Sequence, residues 1–310
     1  MEFIKAVTFG YMSRRGELNT LDAEQSLLAL KNRCAINTII LPIVVEQDTI
    51  HSTIINWRSK DVLSDKEVEN TILKAHQLGL KVFLKPMVNV SDGTWRAHIN
   101  FFDHDAVCEP KWSDWFKSYN EFIVHYAEIA ERTQCEMFVI GCELVNAMRR
   151  EQEWRELVKL VREKYTGLIT YNCDKYQEEA VKWWDAVDVI SSSGYYPIDK
   201  WEQELQRIKR TVENYNKPFF FCEAGCPSRV GSEYLPNDWK FGQEVDVEVQ
   251  ANWYRAMFEA CDSHDWMKGY GLWDWKATLY PLENAYQDRD YALYGKPAEK
   301  VVKEYFETKN

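Results

Sequence analysis

The chain has 310 residues, 45% of them apolar, and a net charge of -11. That length suits one large domain or two medium ones and can bury a sizeable core. The acidic balance excludes nucleic acid and anionic membrane as natural partners, because both need a basic face, and it suits a neutral or cationic ligand.

Tryptophan is abundant, at 13 residues. Its indole N–H needs a partner when buried, so it is a costly core filler. Part of the excess is expected to offer flat faces to a flat ligand, such as a sugar ring or a base. The eight cysteines form no C-x-x-C pair, and several lie in apolar runs, as reduced core thiols do. The N-terminus reads at once as a strand, without a basic-then-apolar leader. No stretch approaches the roughly 18 apolar residues of a membrane span. A reduced, cytoplasmic setting is therefore the expectation.

Apolar runs and amphipathic segments alternate from end to end. In chain order, strands are predicted at Ile4–Phe9, Thr38–Val45, Lys81–Pro86, Met137–Cys142, Leu168–Tyr171, Val187–Ser191, Pro218–Cys222 and Gly269–Trp273. Helices are predicted after each, at Asp22–Arg33, Asp65–Leu78, Trp112–Arg132, Trp154–Lys164, Gln177–Trp184, Asp199–Tyr215, Glu248–Ser263 and Lys296–Phe306. Ser64-Asp65-Lys66-Glu67 has the form of a capping box, and Gly79 closes that helix. Eight strand-then-helix units predict a single (β/α)8 barrel spanning 1–310. A doubly wound sheet fits less well, because no G-x-G-x-x-G or Walker loop follows an early strand. The longest connections follow strands three, seven and eight, on the face where barrel enzymes build their sites.

Two strands deliver a glutamate at their C-terminal ends: Met137–Cys142 runs into Glu143, and Phe219-Phe220-Phe221-Cys222 runs into Glu223. In a barrel, strands four and seven face one another across the opening. Such a pair suits glycoside hydrolysis, in which one carboxyl assists the leaving oxygen and the other attacks the anomeric carbon or activates water.

The motifs Leu84-Lys85-Pro86, Gly93-x-Trp95-Arg96, Ile140-Gly141-x-Glu143, Phe221-x-Glu223-x-Gly225 and Gly295-Lys296-Pro297-Ala298 together resemble glycoside hydrolase family 113. That family holds β-1,4-mannanases and belongs to clan A of the retaining barrel glycosidases. The resemblance implies Glu143 as acid/base, Glu223 as nucleophile, and a β-mannan-derived oligosaccharide as substrate. It also implies Lys85, Asn89 and Trp95 as substrate contacts. Many clan members carry Asn before the acid/base; this chain has Cys142, as the family does in lacking that Asn.

Tyr195 and Tyr196 follow strand six, and either can hydrogen-bond Glu223 and keep it ionised. Trp273 is placed to floor the cleaved sugar's site, with Trp275 as its neighbour. Trp57 and Arg58 after strand two, and Tyr11 after strand one, are further candidates. No cofactor is implied. The six histidines give no H-x-H or H-E-x-x-H, so no metal site is expected, and no G-x-S-x-G marks a serine nucleophile. Regular alternation turns Cys142 and Cys222 toward the barrel wall, which assigns them to packing. The rival readings are a retaining β-glycosidase of other sugar specificity and a barrel lectin, which need not keep both glutamates.

Overall fold

The computed structural model describes residues 1–240 and 242–309. Eight parallel strands close in sequence order: β1 Ile4–Phe9, β2 Thr38–Gln47, β3 Lys81–Val90, β4 Met137–Cys142, β5 Leu168–Cys173, β6 Val189–Ser193, β7 Phe219–Ala224 and β8 Met267–Trp275. The closing pair is β1 with β8, where Ile4 lies opposite Gly269. A Cβ on Gly269 would sit 2.1 Å from the Ile4 carbonyl oxygen, and its φ is +132°, so only glycine lets these backbones meet.

Seven α-helices surround the barrel among the described residues: α1 Leu21–Cys34, α2 Asp65–Gln77, α3 Trp112–Arg132, α4 Glu151–Arg162, α5 Trp201–Tyr215, α6 Val247–Asp262 and α7 Pro297–Thr308. The capping box at Ser64 and Glu67 is formed. Strands β2 and β3 run two and four residues past the predicted ends, because each continues to pair with the other as far as Gln47 and Val90.

The predicted helix Gln177–Trp184 does not form. Between β5 and β6 lie turns and one short 3-10 turn, Trp184–Ala186. Trp183 and Trp184 are both buried and fill the missing helix's place. Trp183 stacks on Trp154 at 5.0 Å and donates to the Met148 carbonyl, while Trp184 donates to the Glu178 carbonyl. The apolar stretch that read as a helix face is instead a plug of two indoles with satisfied N–H groups.

The core has two parts. The larger lies between strands and helices. A smaller cluster fills the barrel interior and includes Ile4, Ile40, Phe83, Val139, Val189, Phe220 and Cys222. Above it the inward residues turn polar, and the candidate site begins there.

Candidate active site

On three strands plain alternation carries the inward row upward. Along β3 the row is Phe83, Lys85 and then Asn89; along β5 it is Thr170, Asn172 and then Asp174; along β6 it is Ser191, Ser193 and then Tyr195. On β4, β7 and β8 one extra residue breaks the alternation. From Val139 to Cys142 three steps on β4 match two on β5, and from Phe221 to Glu223 two steps on β7 match one on β6. On β8, Leu272 to Trp275 spans three steps against two on β1. These are β-bulges at the functional end of the barrel.

The bulges decide which side chains reach the centre. Gly141 turns outward on β4, where a Cβ would lie 2.9 Å from Trp154 and Tyr171, so a side chain has no room. Cys142 then faces inward, and the prediction that it packs in the wall is corrected. Its thiol donates to Glu223 Oε1 at 3.2 Å. Cys222 does pack, but inside the barrel. Glu143 follows with φ +52°, a left-handed backbone that costs a non-glycine residue on the order of 1–3 kcal/mol. Its own contacts hold it there: its N–H donates to the Asn172 carbonyl, and its carboxylate is gripped on both oxygens. After Glu223, a Cβ on Gly225 would meet the Trp273 carbonyl at 2.6 Å, so glycine lets β7 pass close under β8.

The two carboxylates sit at the heart of one network. Glu223 accepts from Lys85 Nζ at 2.5 Å, Cys142 Sγ, and the Tyr195 hydroxyl at 2.9 Å. Glu143 accepts from Ser193 Oγ at 2.7 Å, Arg96 Nη1 at 2.8 Å and Trp95 Nε1 at 3.4 Å. A buried chain joins them: Lys85 donates to Asn172 Oδ1, Asn172 Nδ2 to Ser193 Oγ, and Ser193 to Glu143. A sulfur of Cys142 and one oxygen from each glutamate lie within 4.8 Å of one another. The Lys85 ammonium and the Arg96 guanidinium pair with the two carboxylates, so the set suits a charge-paired dyad better than a metal ion.

Electrostatics acts on three groups of the site. Burial works to raise the Glu223 carboxyl, but the charges of Lys85 and Arg96 and the bonds from Lys85 and Cys142 outweigh it. The carboxyl is held below its ordinary range. Burial, then the charge of Glu223, pushes the Cys142 thiol well up, so it stays a protonated donor. At the rim, burial and the charge of Glu143 push the Asp174 carboxyl up to about 7, against the pull of Lys175.

A cavity of about 510 Å³ opens above the dyad. Of the residues singled out in the sequence, Asn89, Trp95, Tyr195 and Trp273 line it with both glutamates, and so do Tyr11, Arg96, Asp174, Lys175, Asn237 and Trp239. Trp273 meets Tyr11 at 4.5 Å to make the floor. Three predicted contacts lie elsewhere. Lys85 has no exposed surface and is locked beneath Glu223, a charge partner rather than a substrate contact. Tyr196 points to the outer layer, where its hydroxyl donates to Glu178. Trp275, turned outward by the β8 bulge, donates to Ser26 Oγ under α1. Arg96, Asn172 and Ser193 carry roles that sequence reading did not assign. Their signals were an arginine beside Trp95, and polar residues inside otherwise apolar strands.

The model of Glycoside Hydrolase Family 113 matches residues 7–296. Two solved β-1,4-mannanase structures of that family are 51% and 52% identical to this chain over all of both chains, with TM-scores of 0.99 and 0.98. The family 113 β-mannanase AaManA from Alicyclobacillus acidocaldarius, solved in complex with ManMIm, is 43% identical. That match covers 99% of this chain and 98% of the other, with a TM-score of 0.96. A β-glucuronidase from Dictyoglomus thermophilum shares the fold alone, at 15% identity over 51% of its length and a TM-score of 0.66. No curated protein sequence matches. The family model and these full-length relatives show that the chain belongs to glycoside hydrolase family 113.

Proposed function

We propose that this chain is a retaining β-1,4-mannanase acting on β-mannan-derived oligosaccharides, with Glu223 as nucleophile and Glu143 as acid/base. The observation that carries the reading is the asymmetric dyad. Glu223 is the deeper carboxylate, fixed by three donors and held ionised, as an attacking group must be. Glu143 stands at the cavity's side beside Trp95 and Asp174, where it can reach both a leaving oxygen and incoming water. The short gap between their oxygens suits the roughly 5–5.5 Å carboxyl separation of retaining enzymes and is narrower than the roughly 6.5–9.5 Å that inverting enzymes need.

In the first step a Glu223 oxygen bonds to the anomeric carbon as the glycosidic C–O bond breaks, and Glu143 gives its proton to the departing oxygen. In the second, Glu143 takes a proton from water, whose oxygen replaces Glu223 at the same carbon. Tyr195 and Lys85 stabilise the Glu223 carboxylate both before attack and as it leaves. The relatives' β-1,4-mannanase activity supports the sugar and linkage. A reduced, cytoplasmic location is part of the same proposal. It is supported by eight free cysteines, seven of them buried, and it favours short oligosaccharides over polymer. Subcellular fractionation of the source cells tests it.

The test of mechanism is hydrolysis of mannohexaose followed by NMR of the first-formed anomer, which should be β. Glu143→Gln and Glu223→Gln should each cost several orders of magnitude in rate. With azide, Glu223→Ala should yield the α-glycosyl azide and Glu143→Ala the β form. The same anomer from both variants would contradict these roles.

A further inference from the structure

A second cavity, of about 790 Å³, lies on the same rim as the catalytic one, between the loop after β2 and the C-terminal ends of β2 and β3. We infer that it is a distal glycone subsite, which receives mannosyl units on the non-reducing side of the cleaved bond. This rests on the mannanase reading above.

The cavity is preformed. Asn56 N–H donates to the Glu46 carbonyl, Ile55 N–H to Ser118 Oγ, and the Arg15 guanidinium clamps the carbonyls of Ser59 and Val62. These bonds pin the loop to β2, α3 and the β1 loop. Its walls mix charges of both signs. Arg14 pairs with Glu46 at 3.0 Å, Asn56 is held by Asp48, and Arg58 lies flat on Trp57 at 3.7 Å. His125 occupies another side of Trp57, at 4.6 Å. The indole is therefore a mount for Arg58, whose guanidinium also reaches Glu121 at 3.9 Å while its side chain remains 71% exposed. Donors and acceptors are interleaved: Arg14 and Arg58 stand among Glu46, Asp48 and Asp61, with Asn56, Ser59 and Ser91 between them. That pattern suits a neutral polyhydroxylated ligand; an anion or a cation would want one sign.

Continuity with the catalytic cavity gives the ligand's identity. Asn89 lines the catalytic site and stands opposite Glu46 in the β2–β3 register. Ser91, two residues on, lines the second cavity and donates to Glu46. Two strand residues span roughly 6.6 Å, the scale of a pyranose unit. Direction follows from the acid. Glu143 on β4 must face the leaving oxygen, so the departing part lies toward β4 and β5. The retained part then runs over Trp273 and Tyr11, on the β8 and β1 side, and onward to β2.

The test compares kcat/KM for mannohexaose and mannotriose in the wild type, in Arg58→Ala and in Ser59→Trp, which fills the cavity. Mannotriose turnover and the thermal midpoint report folding. The hexaose-to-triose ratio should fall at least about fivefold in both variants, through a raised KM for the hexaose. An active wild type whose ratio is unmoved in both variants overturns the subsite alone. A wild type inactive on both sugars overturns the mannanase reading itself.

Discussion

Replacing Lys85 by methionine removes the cation beneath Glu223 and keeps most of the side-chain volume. Lys85 is fully buried and donates to Glu223 at 2.5 Å and to Asn172 at 2.7 Å. Removing one partner of a buried pair costs about 3–5 kcal/mol, because the other charge is left uncompensated. The carboxyl can relieve this by binding a proton. At pH 7, holding a proton on a carboxyl of ordinary value 4.5 costs about 3.4 kcal/mol, at 1.36 kcal/mol per unit. The two costs are of one size, so in the variant the Glu223 carboxyl should be raised above its ordinary range. In the wild type its folded value is depressed, so the stability it contributes is present above 4.5 and lost as pH falls through the folded value. In the variant the folded value is raised, so stability is intact below 4.5 and lost as pH rises through the folded value. The gap in Tm between the two proteins should widen from pH 4 to pH 8, to roughly 5–10 °C for a loss of about 3 kcal/mol. On a mannoside with an activated leaving group, kcat/KM at pH 6 should fall by about 100-fold or more, with the acid limb moved upward by at least about one unit. A pH-independent Tm gap with an unmoved acid limb would refute the assignment of Lys85 as the charge that keeps the nucleophile ionised.

Tyr195→Phe removes a hydrogen bond to a charged group, worth about 1.5–3 kcal/mol, and should cost roughly 10–100-fold in kcat/KM. Tyr196→Phe should lower stability by about 1–2 kcal/mol, because buried Glu178 loses a donor, while turnover of mannotriose stays close to wild type; equal kinetic losses in the two variants would contradict the separation. The raised Asp174 carboxyl contributes stability below its ordinary 3.8 that is lost as pH rises through about 7. Asp174→Asn should therefore melt higher than wild type above pH 7, with the advantage gone near pH 4, as read by Tm across pH. Trp183→Ala opens the plug that stands where a helix was expected and should cost about 3–5 kcal/mol in denaturant unfolding, with kcat little changed.

Much of the fold was legible because a barrel's strands are buried on both faces and read as apolar runs. All eight strands and seven of the eight expected helices are present, and α3 matches its predicted bounds. The exception, Gln177–Trp184, failed because amphipathic spacing cannot tell a helix from a short loop that anchors itself through two buried indoles. The end of β3 was read short because Pro86 suggests an interruption, while the ladder runs on through it to Val90.

At the site, the residues read well wherever alternation held and poorly wherever it broke. Tyr195 falls in the inward row of β6 with Ser191 and Ser193, so parity alone separates it from Tyr196. On β4 and β8 the same rule misleads. It sends Cys142 into the wall and Trp275 beside Trp273, and the bulges reverse both. Lys85 obeys parity and was still misassigned, because parity gives a direction and says nothing of depth. It lies one layer below the cavity, buried against Glu223, where its charge acts on that carboxylate. Both glutamates and Trp273, which line the cavity together, lie at or beside a bulge. An extra residue there turns neighbouring side chains the same way, which a regular strand cannot do. The thiol of Cys142 can thus support one carboxylate while the next residue, Glu143, supplies the other.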